Sequence, residues 1–451
     1  MKIKLRDWKR IALFAVAMSI GGGIAAWVFS NDDGSDTPQP NAEANANVIL
    51  ISIDTLRYDY FNAQHMPGLH KIFSDSGQIF EKIRTPTPWT LPAHASLLTS
   101  LYPARHGVRT QGQKLSADPL TLAEVFQQNG YYTIAVTEGN YVSSSFGLAR
   151  GFHTFSENAP SMMSNDASSA SKLEGTVKFM EHYMTEAGDA PIFAFLHTYE
   201  VHCPFLPRNG LTDDEGYGGT QWLLDNDGKT DDQAIFEKLK ALYAEEVAYT
   251  DQQLTILVER LLAENWIVVM TSDHGEEFGE HGGLLHADNL YEEATHVPLA
   301  IAGHGLKGVS ERSGSLVDVP STMLEMLDIP IPESWQGRDL NDGNFQERPV
   351  FAESYFFGVQ IPSEDPKVLG IWQDQMKLTQ ITNFGKIQAE LYDLKVDPGE
   401  LKNLIEQRKE EREDLYLRIQ AYLNTDGMES EVVGELTPEQ IETMRSLGYI
   451  K

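Results

Sequence analysis

Four short runs of nearly unbroken apolar residues stand out along the chain: Asn47–Ser52, Tyr132–Thr137, Ile192–His197 and Trp266–Thr271. They lack the strict polar–apolar alternation of a half-exposed strand, so each reads as a strand covered on both faces. Between them lie stretches with helical spacing of apolar residues: Leu120–Asn129, Lys172–Ala187 and the long Asp231–Glu264. Strand alternating with helix predicts an α/β fold whose central, mostly parallel sheet is flanked by helices. After Gly337 the pattern changes. Pro349–Glu353 and Leu369–Thr379 read as strands of a smaller C-terminal α+β subdomain, Asn403–Leu423 as an exposed amphipathic helix, and Leu436–Ile450 as a short docked helix and tail. Asn158–Ser171 and Leu211–Gly228 fit neither pattern and read as surface insertions.

Polar residues collect where these strands end. The first run leads into Asp54, the third into His197, Glu200 and His202, and the fourth into Asp273, His274 and Glu276. In open α/β sheets chemistry gathers beyond the C-terminal strand ends, so these groups are expected to converge. Pro88–Thr99 adds a nucleophile. Pro92 suits the first position of a buried helix over Ala93–Leu98, which leaves Thr90 just before an N-terminus that favours negative charge. His94 follows four residues on, on the same helical face. The competing reading is that Thr90 merely caps the helix. Asp54, Thr90, Asp273 and His274 together offer two carboxylates, a hydroxyl and an imidazole. That mixture suits one divalent ion, Mn²⁺ or Zn²⁺ rather than Ca²⁺, and a cation touching Thr90 would make it a nucleophile.

Composition narrows the setting. The 451 residues are 41% hydrophobic and carry a formal charge of −31, which speaks against nucleic acid as a partner. Residues 1–30 run the other way, with five basic residues against Asp7, followed by an uncharged Ile11–Phe29. As a helix that run would span about 28 Å, close to a bilayer core, with the basic tip in the cytoplasm and the body outside. A cleaved signal peptide is the alternative to an anchor. The expected organisation is an anchor in residues 1–30, a flexible linker in 31–46, a catalytic domain in 47–340 and a C-terminal subdomain in 341–451. Cys203, the only cysteine, allows no intrachain disulfide and reads as a small apolar filler near the site.

From Asn47 onward these residues resemble the sulfatase family of the alkaline phosphatase superfamily. The likeness is carried by Ile51-Ser52-Ile53-Asp54-Thr55-Leu56-Arg57, by Thr90 to Thr99 over the family signature, and by Thr271-Ser272-Asp273-His274-Gly275-Glu276. Leu284-Leu285-His286 through Val297-Pro298-Leu299, and Leu391-Tyr392-Asp393-Leu394 with Asp397-Pro398-Gly399-Glu400, extend it. The departures are as informative. Thr90 stands where sulfatases carry the Cys or Ser that becomes formylglycine, and threonine cannot yield that aldehyde. His94 replaces the signature Arg, Thr55 the second Asp, and His274 a common Asn. The resemblance therefore shifts toward the superfamily's phosphodiesterases and its phosphoethanolamine and phosphoglycerol transferases.

What this implies is a membrane-anchored, extracytoplasmic (periplasmic or extracellular) metal-dependent hydrolase or transferase. It would act on phosphate mono- or diesters, envelope- or lipid-linked, through a covalent Thr90 intermediate. The metal ligands would be Asp54, Thr90, Asp273 and His274, with His94, His197, His202 and His286 binding substrate. His202, His281 and His286 could supply part of a second metal site, though one metal is expected. Arg57, Arg105 and His106 are expected to hold loops, and Glu245 and Asp251 to lie on a solvated face or in an ion pair. Two alternatives stand beside this reading: a sulfuric ester hydrolase working without formylglycine, and a catalytically silent binding module.

Overall fold

Strand β1, Val48–Ile53, is buried at every position, and its alternating side chains divide between two cores. Val48 and Leu50 face one layer of helices while Ile49, Ile51 and Ile53 face the other. Phe193 and Phe195, Ile267 and Val269, and Leu299 and Ile301 repeat that division on neighbouring strands. Burying each such side chain is worth about 1.5–3 kcal/mol, so the apolar runs become central strands rather than edges. The computed structural model describes residues 46–157, 172–208, 232–355, 367–383, 386–424 and 427–434, and besides these 213, 216–219, 222, 230, 437–438 and 441.

The main sheet has eight strands: β1; β2, Gly77–Arg84; β3, Tyr132–Thr137; β4, Thr154–Glu157; β5, Ile192–Thr198; β6, Ile267–Thr271; β7, Leu299–Ala302; and β8, Gly308–Ser315. Their order is β8-β2-β7-β6-β1-β5-β3-β4. β7 runs against both its neighbours, and the remaining pairings are parallel. β1 lies between β5 and β6, with Ser52 opposite both His197 and Thr271. The strand ends that carry Asp54, His197 and Asp273 are therefore neighbours, as the sequence predicts. A second sheet is an antiparallel meander of β9, Val350–Ser354; β10, Val368–Gln373; β11, Met376–Asn383; and β12, Lys386–Asp393. The run read as one strand over Leu369–Thr379 is thus two, folded back at Asp374, whose φ is +56°.

Helices α1, Pro67–Ser76; α2, Thr90–Thr99; α3, Leu122–Gln128; α4, Lys172–Met184; and α5, Gln233–Ala263, accompany the main sheet. α3 is shorter than its periodicity suggests because Thr121 caps it: Thr121 Oγ1 accepts from Glu124 N–H while Glu124 accepts from Thr121 N–H. Asp251 on α5 does not lie on a solvated face. Its carboxylate accepts the Gly68 and Leu69 N–H groups at 2.9 and 2.8 Å, capping α1 from a neighbouring helix. Helix α6, Lys409–Leu423, starts later than Asn403 and buries Leu415, Ile419 and Tyr422 in a third core with β10, β11 and β12. Among the described residues no helix is long and apolar enough to cross a membrane. The expected Ile11–Phe29 anchor, the expected linker up to residue 45 and Asn158–Ser171 lie outside the described residues, as do most of Leu211–Gly228 and of the Leu436–Ile450 tail.

Candidate active site

α2 starts two residues earlier than Pro92 would suggest. Trp89 is its N-cap, Thr90 its first residue, and the first intrahelical bond runs from Ala93 N–H to the Trp89 carbonyl at 3.1 Å. Pro92 still falls in the first turn, where a missing N–H costs nothing. All ten residues of α2 are buried, and its polar groups find partners within the fold. Thr99 Oγ1 donates to the Ala95 carbonyl, and Ser96 Oγ pairs with His106 Nε2 at 2.9 Å. Thr90 is thus inside the helix, and the cap position belongs to Trp89, which makes no side-chain cap bond. Thr90 Oγ1 lies 3.3 Å from His274 Nε2, beyond the end of β6.

The end of β1 is shaped by two long-range contacts. Thr55 takes a left-handed φ of +57°, and its N–H donates to Asp273 Oδ1 at 3.2 Å. Tyr243 of α5 holds the same turn, donating to the Thr55 carbonyl and accepting from Arg57 N–H. The Thr55 hydroxyl turns back on the Asp54 carbonyl. After β6, Asp273 Oδ1 also accepts His274 N–H, while His274 Nδ1 donates to the Gly275 carbonyl at 3.0 Å. That assigns the proton to Nδ1 and turns the Nε2 lone pair toward Thr90 and toward Asp273 Oδ2, 3.3 Å away. Gly275 has to be glycine: a Cβ there would sit 1.9 Å from the Glu293 carbonyl oxygen, because the chain passes directly against the Tyr291–Thr295 turn.

Two carboxylate oxygens at this point, Asp54 Oδ1 and Asp273 Oδ2, are buried without a hydrogen-bond partner. Buried polar atoms ordinarily have one, so paired orphans beside an imidazole lone pair fit a divalent cation held by Asp54, Asp273 and His274. Burial, then the charge of Asp273, pushes the Asp54 carboxyl well above its usual range. Burial likewise raises Glu276, to about 8.

Of the four sequence-predicted substrate histidines, His94, His197 and His202 are buried and His286 is partly buried, and they differ in their partners. His94 has both ring nitrogens engaged: Nδ1 donates to the Thr90 carbonyl at 2.8 Å and Nε2 accepts from Ser52 Oγ at 3.0 Å. It braces the Thr90 turn. His197 Nε2 is 3.3 Å from Asp54 Oδ2, and its buried Nδ1 has no partner. His202 Nδ1 donates to the Cys203 carbonyl, and the His202 and His286 rings are 5.2 Å apart. His286 lies 4.4 Å from the His274 ring, its Nδ1 bonded to Glu276 Oε1. The spacing of residues gave no sign of Glu276 as a partner. A second gathering of Glu277, His281 and Glu293 is committed internally. Glu277 accepts from His281 N–H, Gly283 N–H and the Asn289 amide, and Glu293 binds His281 Nδ1. Arg57 holds loops as expected, pairing with Asp59 and Glu280 and donating to the Glu276 carbonyl. Cys203 is buried among apolar neighbours.

Residues 46–329 match the family model described as Sulfatase, and residues 279–425 match that of N-sulphoglucosamine sulphohydrolase, C-terminal. The chain is 22% identical to arylsulfatase K of Gallus gallus over 475 residues, covering 91% of this chain and 88% of that protein. It is 28% identical to arylsulfatase K of Bos taurus over 237 residues, 49% of this chain and 43% of that protein. Among solved structures it resembles the phosphonate monoester hydrolase of Agrobacterium radiobacter, with TM-score 0.68, 20% identity, and 84% and 95% of the two chains covered. A putative sulfatase from Bacteroides thetaiotaomicron VPI-5482 gives TM-score 0.67, 19% identity, and coverage of 88% and 96%. At these identities the structural likeness concerns the fold.

Proposed function

The chain belongs to the sulfatase family, and on that premise we propose that it is a cation-dependent hydrolase of singly charged esters, sulfate monoesters first, with unmodified Thr90 as nucleophile. The observation that carries this reading is the meeting of Thr90 Oγ1, His274 Nε2 and the two orphaned carboxylate oxygens of Asp54 and Asp273 in one buried place. The arylsulfatase names of the relatives support sulfate over the phosphate esters that a threonine alone suggests. A cation bound by Asp54, Asp273 and His274 would lower the pKa of the Thr90 hydroxyl and offset charge on the transferred group; imidazole in the set favours Mn²⁺ or Zn²⁺ over Ca²⁺.

The remaining chemistry falls to the chain. Thr90 Oγ1 bonds to the central sulfur as the sulfur–alkoxide bond breaks, and its proton passes to solvent. The leaving oxygen takes its proton from solvent, and His202 or His286, with the ring proton on Nδ1, accepts through Nε2 a proton from the attacking water. Water then displaces the group, restoring the Thr90 hydroxyl and releasing hydrogen sulfate. Arg57 is occupied by Asp59 and Glu280, so imidazoles line the site, which suits a monoanion. His94 holds the Thr90 turn in place of a signature arginine. One observation favours a second reading: a threonine ester cannot collapse as a formylglycine hydrate does. Phosphodiester hydrolysis or transfer, through a phosphothreonine that water or an alcohol resolves, fits that constraint equally. The intact ligand set argues against a silent binding module. We place the body outside the cytoplasm, tethered by Ile11–Phe29.

The test is acid quench of the Mn²⁺- or Zn²⁺-loaded protein during turnover of a chromogenic sulfate ester and, separately, of a chromogenic phosphodiester, followed by accurate peptide mass. A sulfo group on the Thr90 peptide, absent from Thr90→Ala, is the expected result. A phospho group alone would move the assignment to the second reading. Turnover unaffected by Thr90→Ala would remove Thr90 from the chemistry.

A further inference from the structure

We propose that Glu276 is a positioning residue for His286, fixing its ring and placing its proton on Nδ1 so that Nε2 is the atom left to face the ester. Three observations converge on this. First, Glu277–Phe278 and Leu284–Leu285 form a two-rung antiparallel ribbon in which Glu277 faces Leu285 and Phe278 faces Leu284. Continuing that register by one position sets Glu276 directly opposite His286, and there Glu276 Oε1 meets His286 Nδ1 at 2.9 Å.

Second, the backbone on both sides of His286 is held in the left-handed region, with φ of +74° at Leu285 and +85° at Ala287, neither of them glycine. Such conformations cost of order 1–3 kcal/mol each and persist where surrounding structure enforces them. Here the enforcement is visible. The ribbon holds Leu285 from one side, and from the other Ser354 Oγ of β9 donates to the Ala287 carbonyl.

Third, the pair is closed in. Glu276 is fully buried and the His286 side chain is only 6% exposed. The ring is bounded by those of His274 at 4.4 Å and His202 at 5.2 Å. Oε2 of Glu276 has no hydrogen-bond partner and is the oxygen that carries the proton when burial keeps the carboxyl neutral, so Oε1 stays an acceptor and holds the ring proton on His286 Nδ1. A carboxylate–imidazole pair of this kind is how protein sites commonly fix a functional histidine, and losing the outer member typically costs about 10–100-fold.

The proposal rests on the reading of His286 as an ester-facing group, so its test has one arm that needs turnover and one that does not. In metal-loaded protein turning over the chromogenic ester, Glu276→Ala is expected to lower kcat/KM by about 10–100-fold. Glu276→Gln, which keeps an acceptor for Nδ1–H, should recover most of that loss. In a His286→Ala background Glu276→Ala should change kcat/KM by no more than about twofold, because the two residues act as one unit. Without substrate, long-range ¹H–¹⁵N spectra of histidine-labelled protein should show the His286 proton on Nδ1 in the wild type and in Glu276→Gln, and displaced in Glu276→Ala. If the alanine variant does not fold, Glu276→Met fills the space without an acceptor. An unchanged His286 tautomer, or an equal penalty with and without His286, overturns the assignment. A displaced tautomer with no change in turnover would instead strike His286 from the reaction while leaving its positioning by Glu276 intact.

Discussion

Asp54 is a buried acid waiting for a positive charge. Desolvation and the nearby Asp273 both disfavour its ionised form, so without a cation it keeps a proton at a pH where surface carboxylates have lost theirs. Cation binding must expel that proton. Affinity for Mn²⁺ or Zn²⁺ should therefore strengthen with rising pH, and titration calorimetry in two buffers of different ionisation heat should report net proton release. Binding heats independent of the buffer would sink this account. The meeting of Asp54, Thr90, Asp273 and His274 was legible in the sequence because each sits at the end of an apolar run or on a helix marked by Pro92. The state of the histidines was not. His94 and His286 look alike along the chain, yet one has both nitrogens committed to Thr90 and Ser52, and the other leans on Glu276. Nothing in residue spacing reveals the register of a two-rung ribbon.

At the level of elements, long-range polar bonds decide what periodicity cannot. Asp251 reads as a solvated helix residue but supplies the cap that α1 lacks locally, since Met66 offers no side-chain acceptor. Asp251→Ala should destabilise the protein by about 1–2 kcal/mol, read as a lower urea midpoint at unchanged m-value. A shift of a few tenths would return Asp251 to an ordinary surface role. Gly275→Ala tests the close passage of the β6 exit past the Tyr291–Thr295 turn. With 1.9 Å between the new Cβ and the Glu293 oxygen, backbone must move, and metal affinity should fall along with stability. Full stability with full affinity in that variant would show that the turn is looser than its geometry implies. The four adjacent strands β1, β3, β5 and β6 were readable to within a residue or two because burial on both faces leaves a continuous apolar signature, whereas β2, β4, β7 and β8 were not predicted. The start of α2 was not, because proline is compatible with any position in a first turn.

Taken whole, the molecule keeps several imidazoles neutral by burial, and this sets its acid limit. His106, bonded through Nε2 to Ser96 and through Nδ1 to the Val108 N–H, is pushed down to about 3, chiefly by desolvation. Because its folded value lies below the unfolded 6.5, the unfolded chain binds the extra proton first, and stability falls as pH drops from 6.5 toward 3. By pH 5 this one residue should cost about 2 kcal/mol relative to neutral pH. The drop in Tm between neutral pH and pH 5 should accordingly be smaller in His106→Gln than in the wild type; equal drops would refute the assignment. The C-terminal sheet is tied to the main body by another buried charge, Lys377, which donates to the Leu290 carbonyl and pairs with Glu400. Lys377→Met would strand that carboxylate and should cost about 3–5 kcal/mol by thermal or urea unfolding. The placement of β1 between β5 and β6 also bears on the order of events during synthesis. Thr55 and Asp273, joined by a hydrogen bond, are 218 residues apart in sequence. At about 5–20 residues per second, Asp54 waits some tens of seconds for its partner carboxylate to be made. Until then a nascent chain holds half a chelator, and it can capture its cation only once the second half of the sheet has been translated and closed.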